Sequence, residues 1–441
     1  MIQSLIKARG CILMSNIYIP IKHILLYSFI LFFTACSYKN VDVLDIKKYS
    51  QNPTSYTKDL KSRNLNQEEL TKEFISNYFS VWHLDKLSFT KEEATWGNVY
   101  SKKEIYLENH LLASKDWFEK QIINSNFENY NQIQQKAILT KNSDFRVFPT
   151  SSRMFYNPSK AGEGFPFDYN QNSRVKINTP VLISHYSKDK AWAFVESHYV
   201  LGWIRLDNLL LIDQTLEEEF ISDELYVIIK EGFEIFDKTS LEDLKVGTFF
   251  TKKDDKYLVA SANGFKKVNI SDYKIRKLPI KFDSKNIELI SKEFIGEPYG
   301  WGGINNHRDC SSFTQDFFTP FAIYLKRNSK SQTELHKYID LSKFSDKEKK
   351  EFILKNAEPF LTLVYLRGHI MLYVGSEKNE PLVMHNVWGV RTKSFFGESG
   401  RNIIGKTVIT TLEPGLELNN INPDKTLLKK VRGIVLLNKK Q

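Results

Sequence analysis

The spacing of apolar residues changes character along this chain, and that change limits the fold more than any single motif does. Leu70–Trp82 (LTKEFISNYFSVW) carries apolar residues at helical intervals. From Phe145 to about Asp213, short β-type runs (FRVFPT, PVLIS, AWAFVES, GWIRL) alternate with turn clusters, and the style recurs from Asp223 to Tyr273. From Ser284 a helical stretch (IELISKEFIG) leads into the Gly-rich run PYGWGG. A second helical run follows Cys310, and strand-like FLTLVYL, HIMLYVG, PLVMH and KTVIT come after it. Helices and strands occupy separate stretches, which predicts an α+β chain. The expected organisation is an address at 1–36, a polar tether at 37–66 and an N-terminal helical segment at 67–140. Two small β-barrels at 141–213 and 214–280 follow, then an α+β domain at 281–441.

Hydrophobic residues at 41% and charged residues at 26% describe a globular chain, not a disordered one. The formal net charge of +10 favours anionic surroundings. Lys is spread along the whole length, however, and no basic helix with interleaved aromatics is present, so nucleic acid is not an expected partner. Three cysteines occur, Cys11, Cys36 and Cys310. They are too scattered for a zinc site or a disulfide framework, and no metal or organic cofactor is expected.

The address reads in the usual order. Lys22 and His23 precede the apolar run Ile24–Phe33, which ends in Thr34-Ala35-Cys36. The run is short for a membrane span and has the layout of a secretory signal. Small residues directly before Cys36 resemble the lipobox of bacterial lipoproteins. That resemblance implies lipid attachment at Cys36; an uncleaved membrane anchor is the other reading. Both put the body outside the cytoplasm, and Ser37 in place of Asp favours the outer membrane, facing the periplasm. Met14 gives a more ordinary signal length than Met1, in which case Cys11 is not translated.

Cys310 therefore carries the chemical interest. In Asp309-Cys310-Ser311-Ser312 it sits at the predicted first turn of a helix, where unpaired amides and the helix dipole favour a thiolate. Gly368-His369-Ile370-Met371 places a histidine at the start of a strand, and Val383-Met384-His385-Asn386 ends the next strand. An imidazole beside a thiol can hold or relay its proton, and a second imidazole can fix the tautomer of the first. Taken singly, each is weak: free cysteine is often buried filler and a lone strand histidine is often structural. His83, His110, His185, His198, His307 and His336 lack a partner pattern and read as structural or surface residues. Trp192 and Trp203 read as barrel packing.

Jointly, PYGWGG, DCSS, RGHIMLYVG and the VMHN strand end resemble the NlpC-type, papain-like cysteine peptidases of bacterial cell walls. FRVFPTSSRMF and GWIRLDNL resemble the bacterial SH3-like domains that accompany them, so both β-barrels are expected to be SH3-like. The resemblance implies a catalytic Cys310, His369 and His385. It further implies that peptidoglycan stem peptides are cut between γ-D-glutamate and a diamino acid, with some relatives requiring a free N-terminal L-alanine. Asp309, Ser311 and Ser329 match positions that hold that amine, and Tyr299 matches an oxyanion-site tyrosine. Helix capping by Asp309 and plain packing by Tyr299 are the alternatives. An amidase or interpeptide cutter on the same fold, and a non-catalytic wall-binding lipoprotein, are the rival functions. Asn305–Arg308 fills the stretch before Cys310 with polar residues where apolar or Gly residues are common in the family.

Overall fold

The N-terminal helical segment is held in place by polar side chains as much as by its apolar face. Helix α1 (Gln67–Phe79) is capped by Asn66, which accepts from the Glu69 N–H, and it buries Phe74, Tyr78 and Phe79. Past its end, Trp82 donates its indole N–H to the carbonyl of Ala137 at 3.1 Å, while the Tyr78 hydroxyl donates to Asn178 O at 2.7 Å. Helix α2 (Lys115–Asn124) follows, capped by Ser114. The computed structural model describes residues 40–440 apart from 59, 61–64, 238–239 and 395–396. Cys36, the lipid-attachment expectation and the signal run lie outside the described residues. Among the described residues, no helix is long and apolar enough to cross a membrane.

The first barrel is a seven-stranded sheet of β1 (Gln135–Leu139), β2 (Ser143–Arg146), β3 (Gln171–Val175), β4 (Pro180–Tyr186), β5 (Trp192–Ser197), β6 (Leu201–Arg205) and β7 (Leu209–Leu211). The order is β3-β2-β6-β5-β4-β1-β7. Because β1 pairs with both β4 and β7, the barrel starts inside the stretch read as helical up to residue 140. Phe145, Ile183, Ala193, Val195 and Ile204 form its core, and Trp203 is fully buried. The next unit comprises β8 (Tyr226–Ile228), β9 (Gly232–Asp237), β10 (Ser240–Leu244), β11 (Phe249–Phe250), β12 (Lys252–Lys253), β13 (Lys256–Ser261), β14 (Gly264–Val268) and β15 (Ile275–Lys277). Two three-stranded sheets and a hairpin share a small core around Phe250, Val259 and Ile275.

Helices α3 (Ser284–Phe294), α4 (Cys310–Phe318) and α5 (Asp346–Asn356) then accompany a six-stranded sheet. Its strands are β16 (His336–Asp340), β17 (Thr362–Leu366), β18 (His369–Glu377), β19 (Glu380–Lys393), β20 (Ser399–Thr411) and β21 (Val431–Lys440), in the order β16-β21-β17-β18-β19-β20. Phe313, Phe317 and Phe318 fix α4 on the apolar core.

The stretch expected to be a free tether is in part bound to the fold. Strand β20 is an edge, and exposed edges invite unwanted pairing. The Gln51 amide donates to the Ile409 carbonyl and its oxygen accepts the Ile409 N–H, each at 2.8 Å. Asp45 likewise accepts from the N–H and hydroxyl of Thr411. Polar composition suggested a linker; these side chains instead use their polarity to cap the edge.

Candidate active site

Three elements meet at the site. Asp309 caps α4 by accepting from the backbone N–H groups of Ser311 and Ser312, and Cys310 is the first residue of the helix. The Cys310 N–H has no acceptor among the described residues, as expected at a first helical position. Its sulfur accepts a hydrogen bond from the N–H of Ile370, the residue after His369, so the thiol lies against the start of β18. Antiparallel pairing puts Leu372 opposite Met384, which sets His369 and His385 diagonally on one face of neighbouring strands. Likewise His385 faces Val408, placing Thr410 diagonally on β20.

A single file of hydrogen bonds results. The Thr410 hydroxyl donates to the carbonyl of Thr411 at 2.8 Å, so its oxygen accepts from His385 Nε2–H at 3.0 Å. His385 Nδ1 is then bare and accepts from His369 Nε2–H at 2.9 Å. This network assigns the basic lone pair of His369 to Nδ1. His385 and Thr410 are fully buried, and burial holds His385 well below the ordinary imidazole value.

Burial also pushes the Cys310 thiol up to about 12, with Asp309 adding to the rise, and pushes His369 down to about 4. The helix-start effect does not prevail here. Both shifts favour the uncharged thiol and imidazole over an ion pair, because desolvating two charges costs more than the helix terminus returns.

The other expected residues are brought to the same place in different roles. Tyr299 is so near that Cys310 and Asp309, after burial, help to raise its hydroxyl well above its usual value. Ser311 and Ser329 line a cavity of about 770 Å³ that opens on Cys310. Asp309 is already matched: Arg327 donates to it at 2.8 and 3.2 Å, and the Gly302 N–H donates at 3.1 Å. Burial alone would raise its carboxyl; the Arg327 guanidinium outweighs that and holds it below the usual range. Sequence reasoning missed Arg327, two residues before Ser329. It also missed Glu196 of β5, whose buried carboxylate lines the cavity and accepts from the Ser88 N–H at 2.7 Å. Phe89, Trp96 and Tyr100 line it as well, so the N-terminal helical segment supplies part of the wall.

The stretch before Cys310 joins the domains. Gly302 and Gly303 have φ of +58° and +87°. A Cβ on Gly303 would stand 2.4 Å from that of Arg174 on β3. Asn306 donates to Asp243 at 2.7 Å. Arg308 is buried and pairs with Glu231 of the second unit at 2.5 Å and with Glu297 and Asp316 at 2.8 and 2.7 Å. The polar departures from the family pattern are thus the contacts that seat both β units against the site.

A helix-borne thiol packed on an antiparallel sheet, with two linked imidazoles on adjacent strands, defines the papain-like class of cysteine peptidase fold. Residues 296–397 match the NlpC/P60 family, 153–205 match an SH3 domain of the SH3b1 type, and 25–130 match the N-terminal NLPC_P60 stabilising domain. The catalytic domain of this chain belongs to the NlpC/P60 family, whose members are cysteine peptidases of the cell-wall hydrolase group. An NlpC/P60 endopeptidase from Photobacterium damselae subsp. piscicida has a similar structure, with a TM-score of 0.82 at 22% identity over 91% of this chain and 100% of that one. An NlpC/P60 family protein from Bacillus cereus ATCC 10987 matches with a TM-score of 0.45 at 15% identity over 68% of this chain and 98% of its own. No match is found among curated proteins. The SH3 match lies within the first barrel, over β3 to β6, and none of these three matches reaches the second unit.

Proposed function

We propose that the chain is an exported, lipid-anchored hydrolase of peptidoglycan stem peptides that cuts the bond between γ-D-glutamate and the following diamino acid. The observation that carries the chemistry is the file from Thr411 through Thr410 and His385 to His369, ending beside Cys310. As Cys310 attacks the γ-carbonyl, its proton passes to His369 Nδ1, so the charged pair forms only when substrate has displaced water. The developing oxyanion faces two donors, the Tyr299 hydroxyl and the Cys310 N–H. His369 then gives the proton to the departing amine. Water hydrolyses the thioester, with His369 again taking a proton. His385 keeps the ring in the productive tautomer throughout.

The cell-wall family and an SH3-like barrel that walls the cavity support a peptidoglycan substrate. The apolar run before Cys36 supports export. For the substrate's free amine, Asp309 is a poor receptor because Arg327 already neutralises it. Glu196 is the better one: it lines the same cavity, is buried, and among the described residues no cation pairs with it. Digesting L-Ala-γ-D-Glu-meso-diaminopimelate with a free and an acetylated N-terminus tests this. Acetylation is expected to lower kcat/KM by about tenfold or more, and Glu196→Gln is expected to erase that preference. A preference that survives Glu196→Gln rules this assignment out.

A further inference from the structure

The cleft does not end at the thiol. Tyr169, Tyr299, Trp301 and Gly368 separate the large cavity from a second one of about 280 Å³ on the His369 side. The first cavity opens on Cys310 and the second on His369, so a chain lying across Tyr299 has its acyl part in the first and its departing amine part in the second.

The second cavity is cationic. Arg367, Arg391, Arg401, Lys425 and Lys430 line it. Arg391 and Arg401 are directly opposite one another in the β19–β20 pairing. Like charges in that position repel and destabilise a sheet. Among the described residues none of the five has an ion-pair partner, although ion pairs are common elsewhere and Lys and carboxylates are abundant. Burial, and then Arg391, Lys425 and Arg401, push Lys430 down to about 8; burial and Arg391 push Arg401 down to about 10. Aromatic rings cover the approach. Phe167, from the long β2–β3 loop of the first barrel, stands 5.9 Å from Trp388 and 5.3 Å from Trp301. Gly162 of the same loop (φ +82°) packs so close that a Cβ there would be 3.2 Å from the Arg401 guanidinium. Arg367, Arg391 and Lys425 are exposed and screened by water, while Arg401 and Lys430 are half-buried beside them, and these two gain most from an anion that completes the site.

We propose that this cavity is a carboxylate subsite, binding the acidic groups of the residue that leaves as the amine. The proposal rests on the stem-peptide reading above and adds to it a reason for choosing among diamino acids. A diaminodicarboxylic acid offers one carboxylate at its α-carbon and another on its side chain. A diaminomonocarboxylic acid or an amidated residue offers fewer. Planar, forked guanidinium groups suit a carboxylate, and in this partly enclosed site the contact is worth more than at a surface.

The test uses the full-length protein and L-Ala-γ-D-Glu-meso-diaminopimelate in four forms: free, amidated at the α-carboxyl, amidated at the side-chain carboxyl, and amidated at both. The doubly amidated form is expected to be cut with kcat/KM at least about tenfold below the free form. Arg401→Gln and Arg391→Gln are each expected to shrink that ratio severalfold, chiefly through KM. The single amides show which carboxylate the cavity reads. Equal rates for the free and doubly amidated peptides overturn the proposal, as does a variant that lowers both by the same factor. If wild-type protein cuts none of the four, the stem-peptide reading fails separately. The subsite is then decided by calorimetric binding of the free and doubly amidated peptides to the Cys310→Ala protein. Tighter binding of the free form that weakens with salt supports it, and equal binding overturns it.

Discussion

At the scale of single residues, Thr410 shows how much of the site depends on groups that never touch substrate. It is a positioning residue: its hydroxyl proton is committed to the Thr411 carbonyl, and that commitment propagates through His385 to the nitrogen of His369 that serves as base. Thr410→Val leaves the buried His385 Nε2–H without an acceptor, which should cost about 1–3 kcal/mol of stability. It should also lower kcat on the order of tenfold to a hundredfold with little change in KM, because the ring loses its fixed orientation. Thr410→Ser should restore both. Kinetics with urea unfolding on the same preparations check this; a Val variant with wild-type kcat counts against the relay. Cys310, His369 and His385 were legible in the sequence because short motifs and chain order carry them. Thr410, Glu196 and Arg327 were not. Their roles come from diagonal register, or from contacts between distant parts of the chain, and nothing local marks them. The capping role of Asp309 was legible as the alternative reading, but its pairing with Arg327, 18 positions away, was not.

At the scale of elements, glycines and polar loops decide how domains meet. In the PYGWGG run, Gly303 lets the backbone come close to Arg174 of the first barrel. Gly303→Ala adds a Cβ to a backbone held at φ +87° and against a neighbouring side chain. It is expected to cost about 2–4 kcal/mol and to lower activity by shifting the first barrel's wall of the cavity. Denaturant unfolding monitored by Trp fluorescence measures the first and peptide hydrolysis the second. An unchanged unfolding midpoint contradicts the account. The helical and β-type runs were legible from periodicity. The β1 boundary and the edge-capping role of residues 45–51 were not, because five-residue strands and single Asp or Gln side chains leave no periodic signal.

At the scale of the whole molecule, burial of neutral histidines links folding to acidity. His185 and His369 are held near 4 and His198 near 3, each first by burial. Unfolded, each would titrate near the ordinary imidazole value of 6.5. The folded state therefore binds fewer protons than the unfolded state between these limits, so stability rises with pH there. This contribution is fully present above about pH 6.5 and is lost as pH falls toward 4. Melting temperature should be nearly flat from pH 8 to 7 and fall steadily below about 6.5; scanning calorimetry across that range checks it, and a constant value down to pH 5 contradicts it.

The central claim, that Cys310 attacks the γ-D-glutamyl carbonyl, is tested most directly by mass spectrometry of L-Ala-γ-D-Glu-meso-diaminopimelate digests. Wild-type protein is predicted to release L-Ala-D-Glu and free diaminopimelate, and Cys310→Ala to release neither. Release of both products by Cys310→Ala would contradict the mechanism. Wild-type cleavage of wall fragments only at the lactyl–alanine junction would contradict the choice of bond.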